Sequence, residues 1–118
     1  MEPERLSTNV TTELNEPENE LWLSPISIWE TIILAEKGRI VLDDSPEKWI
    51  RNALNSTPCR QAMLSYEVAI LSRSINLPHQ DPADRFIAAS AQVYDLTLIT
   101  ADQHLIAGAT NYSVLPNL

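Results

Sequence analysis

Four helix-start signals separated by short apolar runs do most to restrict what this chain can fold into. Ser24-Pro25, Ser45-Pro46 and Asp81-Pro82 each set a side-chain acceptor directly before a proline, and Ser65 supplies a fourth acceptor. A residue of that type at the N-cap accepts from an otherwise orphaned helix amide. Proline at the first helical position gives up nothing, because the N–H it lacks would have had no partner there. The spacing predicts helices from Pro25 to near Lys37 (stopped by Gly38), from Pro46 to the break at Thr57-Pro58, from Ser65 to near Ser74, and from Asp81-Pro82 to near Tyr94. Between them, Leu21-Trp22-Leu23, the weaker Arg60-Gln61-Ala62-Met63-Leu64, Leu96-Thr97-Leu98-Ile99 and Tyr112-Ser113-Val114-Leu115 read as short strands. Short strands alternating with helices imply an α/β fold, a largely parallel sheet with helices over its faces.

The expected core follows the helical period. Ile28, Trp29, Ile32, Ile33 and Leu34 form a broad apolar face on the first of these helices; Trp49, Ile50, Ala53 and Leu54 recur at one-turn spacing on the second; Val68, Leu71 and Ile75 point inward on the third. Trp22, Trp29 and Trp49 are expected in the core rather than on a base-stacking surface. Residues 1–20 are rich in Glu, Asn, Thr and Pro, with Val10 and Leu14 marking one short amphipathic helix. The expected division is therefore a polar, partly helical segment over 1–20 and a folded domain over 21–118.

Composition narrows the chemistry. The chain has 118 residues, which fits one domain, and its 44% apolar content argues against disorder over most of its length. With only two glycines, Gly38 and Gly108, no glycine-rich phosphate loop can be built. The net charge of −8 repels a polyanion and disfavours a stable nucleic-acid-binding module, but bound cations can invert the local field in a nuclease. Cys59 stands alone, so no internal disulfide can form; it is expected as a buried, inert thiol in a reducing compartment. The opening Met1-Glu2-Pro3-Glu4-Arg5 is too polar for a secretory signal, and no apolar run approaches bilayer length, so a cytoplasmic protein is expected.

Three carboxylates stand at or near helix starts: Glu30, Asp84 and Asp102. In α/β sheets ligands gather at the carboxyl ends of the strands, and converging carboxylates that all stay ionised normally hold a divalent cation. Each also has an ordinary explanation. Ser27-Ile28-Trp29-Glu30 matches a capping box, although a start at Ser24-Pro25 would place Glu30 inside the helix. Asp84 sits where the helix dipole favours a negative group, Asp81 is an N-cap, and Asp81 with Arg85 has the spacing of a surface ion pair. Asp102 suits the cap of a short helix over 103–107. His79 and His104 are isolated, with no second ligand at metal spacing. No His-Glu-x-x-His, Gly-x-Ser-x-Gly or paired-cysteine pattern occurs.

Taken together, Leu23-Ser24-Pro25-Ile26-Ser27-Ile28-Trp29-Glu30, the stretch from Leu77 to Ala89 containing Asp81-Pro82-Ala83-Asp84-Arg85, and Leu96-Thr97-Leu98-Ile99-Thr100-Ala101-Asp102 resemble the PIN-domain ribonucleases, specifically VapC-like toxins of toxin–antitoxin pairs. The likeness covers nearly the whole chain, and the central motif is the most specific. It implies a three-layer α/β fold and an acidic pocket that binds Mg²⁺ or Mn²⁺ and cleaves RNA. In that pocket Glu30, Asp84 and Asp102 would be metal ligands or would orient the attacking water, and Asp81 would support them. It also implies a homodimer held inactive by a cognate antitoxin. The departure is at the front: PIN domains open with a buried strand ending in Asp, then a helix, and residues 1–20 offer no counterpart to that strand and its Asp. The chain is thus expected to be N-terminally truncated relative to the family. Two readings follow, a metal-dependent endoribonuclease or a non-catalytic PIN-like remnant that binds a partner. An acidic phosphatase or receiver-like domain would need an Asp ending an early strand, which is absent.

Overall fold

The computed structural model describes residues 10, 12, 14–16, 18–77, 81–100, 105–106 and 112–117. By its contacts the chain divides into two compact units, residues 20–63 and residues 1–19 with 64–118.

In the unit of residues 20–63, strand β1 (Trp22–Leu23) leads into helix α1 (Pro25–Glu36), then helix α2 (Pro46–Ser56) and strand β2 (Arg60–Gln61). β1 and β2 pair in parallel, Trp22 opposite Arg60 and Leu23 opposite Gln61. The Arg60 and Ala62 amides donate to the Leu21 and Leu23 carbonyls at 2.8 and 2.9 Å, extending the ladder at both ends. The Arg60 side chain pairs with Glu20 and lies 5.7 Å over the Trp22 ring, so one guanidinium covers the strand's outer face. Both expected caps form: the Ser24 hydroxyl accepts from the Ile26 amide at 3.1 Å, and Ser45 accepts from Lys48. α1 then stops at Gly38, whose φ of 71° only glycine adopts without cost. Gly38 N–H donates to the Ala35 carbonyl and Arg39 N–H to that of Leu34, which closes the helix end.

Three packing expectations fail in this unit, the first being Leu54, which is exposed while Ile50 on the same helix is buried. No residue of α1 is fully buried, and Trp29 is 53% exposed, so its indole is not a core group; Trp22 and Trp49 are half-buried. An apolar face as broad as that of α1 needs covering surface on several sides, and the unit's own short elements supply too little. Cys59 is exposed, not buried, because it lies in the extended link between α2 and β2 rather than on a helix face.

The second unit carries helix α3 (Tyr66–Ser74), helix α4 (Pro82–Val93) and strands β3 (Thr97–Thr100) and β4 (Ser113–Pro116). Ser65 caps α3 by accepting from Val68 at 3.3 Å. β3 and β4 pair in parallel from Thr97 opposite Ser113 to Thr100 opposite Pro116, and Asn117 N–H adds a bond to the Thr100 carbonyl. Both described sheets are thus parallel, as expected of an α/β chain. The core is Ile75, Leu77, Ala88, Ala91, Leu105 and Tyr112, with Leu71, Leu98 and Val114 packed on it. The Tyr112 hydroxyl, buried there, donates to the Leu105 carbonyl at 2.7 Å. Val10 and Leu14 are helical as expected, and Val10 is fully buried. α4 ends as α1 does, with Asp95 (φ 53°) in glycine's place and Leu96 N–H returning to the Ala91 carbonyl. Aspartate is among the few side chains that tolerate this region. Among the described residues, no helix is long and apolar enough to cross a membrane.

Candidate functional site

Asp81 and Asp84 divide the work at the start of α4. One carboxylate oxygen of Asp81, Oδ1, accepts from the Ala83 amide at 2.9 Å and the Asp84 amide at 3.4 Å, with Pro82 between them needing no acceptor. That oxygen is committed to capping the helix. Asp84 lies in the first turn, half-buried, and its side chain is not the one that caps.

Arg85 fixes this turn in place. Far from being a surface partner for Asp81, it is only 5% exposed. Its Nε donates to the Ser72 carbonyl at 2.7 Å, Nη1 to Leu77, and Nη2 to Ile75 at 3.0 Å and Arg73 at 3.3 Å. These carbonyls belong to the last turn of α3 and the chain that leaves it, where helix geometry strands acceptors without intrahelical donors. One guanidinium therefore satisfies the end of α3 and ties it to the start of α4, which carries Asp84. The i, i+4 spacing from Asp81 concealed this. The legible signal was the short Ile75-Asn76-Leu77 link, whose carbonyls need a donor from somewhere.

Glu30 belongs to the unit of residues 20–63. Because Ser24 is the N-cap, the Ser27 capping box does not form; the Ser27 carbonyl instead accepts from Thr31 Oγ1 at 2.8 Å. Glu30 consequently lies inside α1, half-buried beside Trp29. Asp102, His79 and His104 lie outside the described residues, as does most of the short helix expected after Asp102, of which Leu105 and Ile106 are helical. Among the described residues no group of three or more His, Cys, Asp or Glu is placed to hold a metal ion. The donor chemistry of Glu30, Asp84 and Asp102, oxygen alone, suits a hard cation such as Mg²⁺ or Mn²⁺ better than a soft one.

The chain is α/β, with two parallel strand pairs among the described residues. The family profile of the PIN domain matches residues 2–109, and the chain belongs to the PIN-domain family. All three candidate carboxylates fall inside the matched span. PIN domains are generally nucleases that use divalent metal ions. Comparison with curated proteins and with solved structures finds no match.

Proposed function

We propose that the chain is a metal-dependent endoribonuclease of the VapC-like toxin type. Its substrate is RNA, and its protein partners are a cognate antitoxin and a second copy of itself. The observation that carries this reading is membership of the PIN-domain family over residues 2–109, with Glu30, Asp84 and Asp102 all inside the match. In this reading those three carboxylates hold Mg²⁺ or Mn²⁺ and Asp81 supports them. When bound, the cation supplies an acidified water and stabilises charge on the leaving oxygen. The chain's own contribution is to hold the Asp84 carboxylate: Asp81 fixes the first turn of α4, and Arg85 clamps that turn to α3. With a net charge of −8, the protein has few cationic groups with which to grip RNA, so substrate binding itself should depend on the cation. Residues 1–20 contain no Asp, so this reading assigns three carboxylates to the cation.

The test is RNA cleavage with Mg²⁺ or Mn²⁺ against a chelator control. Asp84→Asn should reduce cleavage at least about a hundredfold while leaving the circular dichroism spectrum unchanged. Unchanged cleavage would remove Asp84 from the site.

A second reading, a non-catalytic PIN-like module that binds a partner protein, is favoured by α1. That helix is strongly apolar, yet none of its residues is fully buried and Trp29 stands exposed. Measurable metal-dependent cleavage by the wild type would set this reading aside.

A further inference from the structure

The buried surface of α4 has little relief. Ala83, Ala88, Ala89, Ser90 and Ala91 are small, and among its buried residues only Arg85 is long. Helices find their register when ridges of larger side chains settle into the grooves of a neighbour. Methyl and hydroxymethyl groups make shallow ridges, so α4 can pack closely and still roll or slide at little cost. Arg85 removes that freedom. Its donors reach the carbonyls of Ser72, Arg73, Ile75 and Leu77, at the end of α3 and just beyond it. Acceptors in a fixed arrangement admit one placement of a rigid, planar fork.

We propose that Arg85 is a positioning residue: by fixing the roll of α4 against the end of α3, it sets where the Asp84 carboxylate stands at the cation. This rests on the reading of Asp84 as a cation ligand, and adds which side chain places that ligand. Asp84 and Arg85 are neighbours, about 100° apart around the helix, and the backbone fixes that angle. A roll that moves one moves the other equally.

The magnitude decides the matter. A carboxylate on a helix stands about 5 Å from the axis, so a roll of about 20° carries it about 2 Å. Mg²⁺ holds its oxygens at about 2.1 Å in a demanding octahedron, and a ligand displaced that far is lost. The cap at Asp81 cannot supply the constraint. It binds the Ala83 and Asp84 amides of its own turn and travels with the helix.

Mn²⁺ affinity, followed by the paramagnetic resonance of the free ion over the full chain, tests this without any turnover. Arg85→Lys keeps the charge and loses the fork; it should weaken binding about tenfold or more, with the circular dichroism spectrum unchanged. Val68→Ala, at the far end of α3 from the clamp, should leave the affinity unchanged. A double-mutant cycle separates placement from general loosening. If Arg85 acts through Asp84, then Asp84→Asn and the double variant Asp84→Asn, Arg85→Lys bind equally weakly. Additive losses overturn the proposal, as does an affinity that Arg85→Lys leaves intact or that Val68→Ala lowers as much. Should Arg85→Lys not fold, Arg85→Gln takes its place; unfolding of both makes the arginine a folding determinant and overturns the positioning role. A wild type that binds no Mn²⁺ refutes the metal-dependent reading itself, and this assignment with it.

Discussion

α1 and α4 are the same length, twelve residues each, and relate composition to burial in opposite ways. α1 is built from Ile26, Ile28, Trp29, Ile32, Ile33 and Leu34 and has no fully buried residue. α4 has alanines at 83, 88, 89 and 91, and these are buried together with Ser90 and Arg85. Small side chains let one backbone approach another closely, which excludes water more completely than bulk does. Large apolar groups without facing surface stay partly wet. A charged residue, by contrast, goes inside wherever acceptors meet each of its donors.

The sharpest way to break this contrast is to remove the charge from the second unit. Arg85→Met would leave the carbonyls of Ser72, Ile75 and Leu77 without their donor in buried surroundings. It should lower unfolding free energy by about 3 kcal/mol or more in a urea titration. A neutral result would mean that water or the backbone replaces the guanidinium. Next comes a matched pair of truncations. Val68→Ala, at a site with no exposed surface, should cost about 2–3 kcal/mol, whereas Trp29→Ala, despite deleting far more side chain, should cost about 1 kcal/mol or less. Equal losses would erase the distinction between the helices. The smallest effect is expected at the exposed Glu47–Arg51 pair on α2, 3.2 Å apart, where Arg51→Ala should change stability by no more than about 0.5 kcal/mol.

The helix starts were legible because capping is local chemistry. Ser24, Ser45, Ser65 and Asp81 all accept from amides two or three residues ahead, and nothing distant is needed to place them. Gly38 as a stop was legible for the same reason. What escaped was everything that depends on a neighbour far along the chain. The indole of Trp29 looks like core material in any window of sequence; whether surface exists to cover it is a question of tertiary arrangement. The thiol of Cys59 is apolar enough for an interior, yet its link between α2 and β2 runs over the outside. The acceptors of Arg85 lie eight to thirteen residues upstream, beyond the reach of any helical spacing rule. For the site, the types and order of the acidic residues could be read. The local settings of Glu30, Asp81 and Asp84 required coordinates, because a Ser–Pro start three residues early moves Glu30 from a cap into a helix.

Because Arg85 grips main-chain oxygens, the clamp is indifferent to which side chains its acceptor residues carry. Of the four, Arg73 faces outward and can drift through mutation without loosening it, whereas Ser72, Ile75 and Leu77 are held by their own burial. Arg85 itself has no such latitude: a lysine offers one ammonium where four carbonyls must be reached from a planar fork. Tolerance on one side of the contact and intolerance on the other is a signature that saturation mutagenesis of this stretch would read directly.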